Sequence, residues 1–380
     1  MARNPDHTML ARADHDERAR QNFIGALKRR ISGQLRPANR LFFEQEAAPA
    51  FAAKHGHAPA DQHEIADAMQ DNPHWQLWST LNHAAQRQMW DAMEDMLERN
   101  EGKQQATYAA LTGNSEKRGS LELDPDFPVP EPIRKTEIHC QPGGYARDRG
   151  GDDFRAGALY ESGGMLYSRG QGVGTGESKA EIVLRFLRER YPQFRPLKVL
   201  DMACAAGGSS TPYAEAFPEA EVHAIDVAPG LLRYAHARAE ALRVAVHFHQ
   251  RDATDTGFPD GSFDLVVSHN AMHEMSQETA RAMFRETYRL LKPGGVCVHQ
   301  DVPIRYDELD DYARFDRSWD RYYNGEIFWI DYGTLDLKSA LLDAGFGEDD
   351  AFLGFINQAD ASIRWYAACA RKPVSGRAQA

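Results

Sequence analysis

Residues 197–226 read LKVLDMACAAGGSSTPYAEAFPEAEVHAID. An apolar pair, Val199 and Leu200, stops abruptly at Asp201. Small residues follow, Ala203-Cys204-Ala205-Ala206-Gly207-Gly208, and then a helical segment carrying Tyr213, Ala214 and Phe217. A second apolar run, Val222 to Ile225, ends on another carboxylate, Asp226. This is the pattern of a β–turn–α–β unit whose turn lies at the carboxyl end of the first strand, where open α/β sheets bind ligands. Small side chains there let the backbone approach a ligand, and an acidic residue closing the second strand accepts hydrogen bonds from ribose hydroxyls. The stretch predicts a nucleoside-binding crevice.

A dinucleotide site wants G-x-G-x-x-G, so that a pyrophosphate can sit on the helix N-terminus. The turn here lacks that spacing, and Asp201 comes immediately before it. A carboxylate at that place repels a pyrophosphate and suits a ligand bearing an ammonium or a sulfonium. The segment from Val199 to Gly207 resembles motif I of the class I S-adenosylmethionine-dependent methyltransferases, roughly V-L-D-x-G-C-G-x-G. Two of that family's glycines are alanines here, Ala203 and Ala205, and alanine does not easily take φ > 0.

The resemblance continues downstream. A third strand around Val244 to Phe248 leads into Arg251-Asp252-Ala253, where the family's carboxylate binds the adenine amino group. FPDGSFDLVVSHNAMHEM, residues 258–275, resembles motif IV, with a fourth strand from Leu265 to Ser268 that delivers His269, Asn270 and His273. LLKPGG, residues 290–295, resembles the turn before a fifth strand, Val296 to His299. Residues 341–346, 352–356 and 363–370 resemble the last helix and the reversed strand pair. The resemblance covers 178–372. It implies an α/β fold, a Rossmann-like seven-stranded methyltransferase sheet, with S-adenosyl-L-methionine as cofactor. The residues it places around that cofactor are Asp201, Ala203, Cys204, Ala205, Gly207, Asp226, Asp252, Ala253 and Asn270.

For the acceptor side, His273 is the candidate base, because it follows the fourth strand and an imidazole ordinarily titrates near neutrality. Glu274 is placed to orient it or to pair with an acceptor ammonium; the alternative is that both residues begin a solvent-facing helix. By analogy with the family's helix before the first strand, Tyr160, Tyr167 and Arg169 reach the methionine end or the acceptor, against the alternative of a surface loop. The glycine-rich SRGQGVGTGESK, residues 168–179, lacks both a preceding strand and a Gly-Lys-Ser/Thr ending, so it is no phosphate loop. Ser178 and Glu181 instead form a capping box opening a helix. No metal site is expected: His269 and His273 are four apart, but His269 still lies on the strand end. The insertion from Asp301 to Tyr332, dense in aromatic and charged residues, reads as a lid over a small polar substrate or as a packing or dimer surface.

The N-terminal third reads as helices. Asn72 caps and Pro73 opens the clearest, expected to end near Gly102, with Trp78, Leu81, Ala85, Met89, Ala92 and Met96 along one face. Shorter amphipathic helices are expected over 23–31 and 41–54. His55, His57, His63, His74 and His83 show no ligand frame. This α-helical N-terminal domain (1–118) is expected to dimerise or to roof the site. A linker and active-site-covering segment (119–177) follows, proline-rich from Leu121 to Pro132, then the catalytic domain (178–372) and a tail (373–380).

A net charge of −12 disfavours nucleic acid and anionic membranes as partners. Four scattered cysteines, a polar start and the lack of any long apolar run predict reduced thiols and a cytoplasmic location. The reading is a methyltransferase acting on a small molecule, with a homodimer open. Two other readings use the same crevice: an enzyme attacking the cofactor's aminocarboxypropyl arm to release methylthioadenosine, and a non-catalytic cofactor binder.

Overall fold

The computed structural model describes residues 6–114, 116–167, 178–357 and 364–374, and the side chain of Met165 lies outside that description. Arg169 and most of the glycine-rich stretch after Tyr167 lie outside the described residues, as do 375–380 of the tail.

Eight strands form one sheet. They are β1 (Ser120–Glu122), β2 (Lys198–Met202), β3 (Glu221–Asp226), β4 (His247–Gln250), β5 (Phe263–His269), β6 (Leu291–Asp301), β7 (Ala351–Asn357) and β8 (Arg364–Arg371). Their order is β1-β4-β3-β2-β5-β6-β8-β7. Strands β1 to β6 pair in parallel, and β8 runs antiparallel between β6 and β7. The expected seven strands are therefore present. β1 is an eighth, contributed to the edge by the segment read as a linker, and the same segment holds a short helix at Glu131–Lys135. Pro132 is tolerated there because it falls in the first turn, where its missing N–H has no helical partner to lose. β4 starts later than expected because Arg243, with φ 62°, still closes the preceding helix.

Alternate residues of the strands pack into opposite layers. Val199, Val222, Ala224, Leu265, Val267 and Val298 face one, and Leu200, Met202, Ile225, Val266 and Cys297 the other. Burial on both faces is why these strands read as continuous apolar runs and not as alternating ones. The order reverses between β2 and β5, so the crevice opens at their carboxyl ends.

The N-terminal helices are longer than expected. Helical backbone runs from His15 to His55, with π-helical turns at Ile31–Leu35 and Phe43–Ala47. A proline stands two residues beyond each π turn, Pro37 or Pro49, and cannot donate the hydrogen bond that regular α geometry would need. Pro73–Thr112 is one helix that passes straight through Gly102. A helical glycine costs about 1 kcal/mol. Contacts beyond it outweigh that: Gln104 donates to the Met9 carbonyl, and Tyr108 stacks on Phe154 with ring centroids 4.9 Å apart. No described helix is long and apolar enough to cross a membrane.

Candidate active site

The turn after β2 is built on two buried carboxylates. Asp201, the last residue but one of β2, is fully buried, and its Oδ2 accepts the hydroxyls of Ser209 and Ser210, each at 2.7 Å. Its Oδ1 has no hydrogen-bond partner. Burial pushes this carboxyl up to about 7, and the neighbouring Asp226 adds to the shift. Asp226 accepts the Ala205 N–H through Oδ2 (2.9 Å) and the Ala228 N–H through Oδ1 (3.0 Å). Burial raises its pKa as well.

Between them the chain takes positive φ three times: 56° at Ala203, 47° at Ala205 and 74° at Gly207. The two alanines thus adopt the backbone that glycine would, at a conformational cost of about 1–2 kcal/mol each. At Gly207 a side chain would be strained twice over, by the positive φ and by a Cβ standing only 3.0 Å from the Ala235 Cβ. Cys204 contributes backbone only: its side chain is buried, and burial pushes the thiol well above its ordinary range.

The other expected cofactor residues frame the same crevice. Asp252 follows β4, accepts the N–H and hydroxyl of Thr254 through Oδ1, and is tied to β3 by the Arg251 N–H on the Asp226 carbonyl. Ala253 is half-buried beside it. Asn270, at φ 55°, directly follows β5 and receives the Gln300 side-chain amide on its Oδ1 at 3.1 Å. The donor set suits S-adenosyl-L-methionine: a free buried carboxylate oxygen for its ammonium, a carboxylate held by two N–H groups for its ribose, and a turn shaped for close approach.

Tyr160 lies over this turn, and Tyr167 lies beside His139. Arg155–Tyr167 is a helix, not a loop, and both Tyr160 and Tyr167 are half-buried. Tyr160 packs with Ala205 and stands edge-on to Tyr145, centroids 5.5 Å apart. The Tyr145 hydroxyl donates to Glu274 Oε1 at 3.3 Å. His273 is buried with Nδ1 2.5 Å from Asp301 Oδ1 and Nε2 3.5 Å from Glu274 Oε1. Burial alone would lower its pKa, but Asp301 and Glu274 outweigh that and raise it to about 10. Two readings are corrected here: His273 does not face solvent, and it does not titrate near neutrality as the expected base, because at neutral pH it carries a proton on each nitrogen.

His139, for which no motif was read in the sequence, completes this end of the site. Its Nδ1 is 2.7 Å from Glu326 Oε1 and 2.8 Å from the Tyr167 hydroxyl, and its Nε2 is 3.6 Å from Glu274 Oε1. Burial lowers its pKa to about 4, so it is neutral. The Pro73–Thr112 helix fixes it: Gln86 Nε2 and Trp90 Nε1 both donate to the His139 carbonyl, at 2.7 and 2.6 Å. Glu326 comes from the 301–332 insertion, whose helix Asp311–Tyr323 packs outward, Trp319 meeting Trp78 at 5.5 Å. Asp301 was legible in principle, as a carboxylate at a strand end like Asp201 and Asp226; Glu326 carries no such signal. His269 is engaged elsewhere, by Tyr213 and Gln300.

Residues 199–295 match the family described as a methyltransferase domain. Phosphoethanolamine N-methyltransferase 1 of Arabidopsis thaliana is 32% identical over 209 residues, covering 52% of this chain and 39% of that protein. Demethylmenaquinone methyltransferase of Thermus thermophilus is 37% identical over 109 residues, 28% of this chain and 48% of that protein. The chain thus spans less than half the length of either relative. A solved structure of Haemonchus contortus phosphoethanolamine N-methyltransferase 2 with S-adenosyl-L-methionine shares 18% identity. The match covers 50% of this chain and 52% of that one, with a TM-score of 0.37.

Proposed function

We propose that the chain, which carries a domain of the class I S-adenosylmethionine-dependent methyltransferases, moves the cofactor's methyl group onto a small-molecule acceptor in a reducing cytoplasm. The observation that carries this reading is Asp201: a buried carboxylate with one oxygen unpartnered, opening a turn held at positive φ. When bound, the cofactor supplies an electrophilic methyl on a sulfonium. Asp201 holds its ammonium, Asp226 its ribose hydroxyls, and Asp252 with Ala253 its adenine. Tyr160 covers the methionine end, and the acceptor enters between Tyr145, Tyr160 and Tyr167. Positioning is most of the catalysis in such a displacement. Where the acceptor must lose a proton, neutral His139 is the group able to take it, and His273 holds Glu274 in place through Nε2. Four free cysteines support a reducing compartment.

Ala203 and Ala205 keep the turn in the glycine-like conformation, so they leave the second reading, attack on the aminocarboxypropyl arm, without its motive. The test is to incubate the protein with S-adenosylmethionine alone and with fractionated cell extract, then identify the nucleoside product by mass spectrometry. S-adenosylhomocysteine formed only with extract is the expected result. Methylthioadenosine formed from the cofactor alone overturns the proposal, and so does cofactor binding with no product in any fraction.

A further inference from the structure

We infer that His139, His273, Glu274 and Glu326 form a binding site for one divalent first-row transition metal ion. One donor atom from each lies within 4.8 Å of the others. The four come from three separate parts of the chain: the turn Ile138–Cys140, the turn Met272–Glu274 after β5, and the insertion between β6 and the last helix. Local sequence does not bring them together; the fold does.

Three features point to an ion. First, Glu326 is 1% exposed and its Oε2 has no hydrogen-bond partner. A buried carboxylate oxygen left without a partner is costly unless something electropositive meets it. Second, the site gathers carboxylates from Glu274, Glu326 and Asp301. Among the described residues their ion-pair contacts are with His139 and His273 alone, and Lys179 acts on Asp301 and Glu274 only at longer range. Third, the bond between His273 Nδ1 and Asp301 fixes the ring with Nε2 toward the cluster, where an ion would replace the proton that Nε2 carries in the unliganded chain. Metal-bound histidines characteristically give their other N–H to a carboxylate, which sets the ring's orientation. Tyr145 on Glu274, and Tyr167 on His139 with Asn324 behind it, supply the remaining outer support.

The spacing fits. Donors about 2.1 Å from a tetrahedral ion stand about 3.4 Å apart. The two histidine–Glu274 separations are 3.6 and 3.5 Å. Two imidazoles and two carboxylates with no thiolate suit Zn²⁺, Fe²⁺, Mn²⁺ or Co²⁺ better than Cu⁺, which wants sulfur, or Ca²⁺, which wants oxygen throughout. The ion would sit across Tyr145 and Tyr160 from the cofactor turn, as a Lewis acid toward an acceptor heteroatom, and where it is bound it replaces His139 as the group that activates the acceptor. The inference concerns binding and does not depend on the methyl-transfer reading.

The experiment strips the purified full chain with a chelator and titrates it with Co²⁺, reading d–d absorption for coordination, with elemental analysis of Zn²⁺-loaded protein for stoichiometry. One ion per chain is expected. Glu326→Gln and His139→Ala should each weaken binding at least tenfold, and Asp301→Asn, which meets His273's outer nitrogen and the Met272 and Val302 N–H groups but none of the other three donors, by about 10–100-fold. A double variant at the surface histidines, His55→Ala with His57→Ala, should leave affinity unchanged. S-adenosylhomocysteine binding, measured by calorimetry on every variant, reports that the cofactor domain is folded. Absence of Co²⁺ uptake by the wild-type chain, or equal uptake by Glu326→Gln and His139→Ala variants that still bind S-adenosylhomocysteine, overturns the site. Loss of S-adenosylhomocysteine binding by the wild type with metal uptake intact would instead count against the cofactor reading alone.

Discussion

The Ser210 hydroxyl lies 2.7 Å from Oδ2 of Asp201, on the same oxygen that receives Ser209, so the other oxygen of this buried carboxylate is left for a ligand. The asymmetry has a measurable consequence. Burial holds the carboxyl near 7, whereas a bound cation favours its ionised form. Affinity for S-adenosylmethionine should therefore fall as pH drops below about 7, approaching tenfold per unit. Calorimetric titrations from pH 5.5 to 8 measure it, and affinity independent of pH would count against the assignment. The stability of the unliganded protein runs the other way. A folded-state pKa raised above the unfolded one contributes stability at low pH that is lost as pH rises toward about 7. Asp201→Asn should remove both slopes.

The strained alanines give a second expectation. Ala203 and Ala205 sit at φ 56° and 47°. Glycine there relieves about 1–2 kcal/mol of backbone strain, against about 0.4–1 kcal/mol of added unfolded-state entropy. Ala203→Gly and Ala205→Gly should be neutral or stabilising by up to about 1 kcal/mol. Ala50→Gly, exposed in the helix Ala48–His55, should cost about 1 kcal/mol. Chemical denaturation of the three variants decides it; equal losses at all three would remove the strain argument.

What the sequence made legible follows from what each element rests on. The parallel strands could be read because burial on both faces demands apolar runs, and their ends because Asp201 and Asp226 interrupt those runs. β1 could not: Ser120–Glu122 has no burial signature and joins the sheet through backbone pairing to β4. His139 and Glu326 were equally silent. Their meeting depends on a helix starting at Pro73 and an insertion packed against it, and no local pattern encodes that distance.

Trp90 and Gln86 carry that long-range positioning. Both donate to the carbonyl of His139, a residue held at φ 54°. Trp90→Phe removes one donor while keeping most of the ring, a loss of about 1 kcal/mol of hydrogen bonding. Turnover should fall about fivefold, with S-adenosylhomocysteine affinity unchanged. Trp90→Phe with Gln86→Leu should lower it further. Steady-state kinetics beside calorimetry tests this, and a parallel loss of cofactor affinity would show that the helix acts on the whole domain and not on His139.

A different helix, Arg155–Tyr167, reaches the cofactor turn through Glu161. Arg238, 1% exposed, donates Nε to Glu161 Oε1 at 3.0 Å, and its Nη1 to the Gly207 carbonyl (3.1 Å) and the Thr211 hydroxyl (2.7 Å). His7 meets the other oxygen of Glu161 at 3.1 Å. Burial acts to raise the Glu161 pKa, but Arg238 and His7 outweigh it and hold it at about 2. A folded-state pKa below the unfolded one gives stability that is present above the ordinary glutamate range and lost as pH falls toward about 2. Glu161→Gln leaves a buried arginine unpaired, which typically costs about 3–5 kcal/mol. It should also flatten the acid limb of stability between about pH 5 and 3 and weaken cofactor binding through Gly207. Glu161→Gln combined with Arg238→Met should recover part of the stability, because no charge is then stranded, but not the affinity, because the Gly207 carbonyl stays unheld. Urea unfolding at several pH values, paired with cofactor titrations, separates the two effects. If the double variant regained affinity together with stability, Arg238 would be holding only the packing and not the turn.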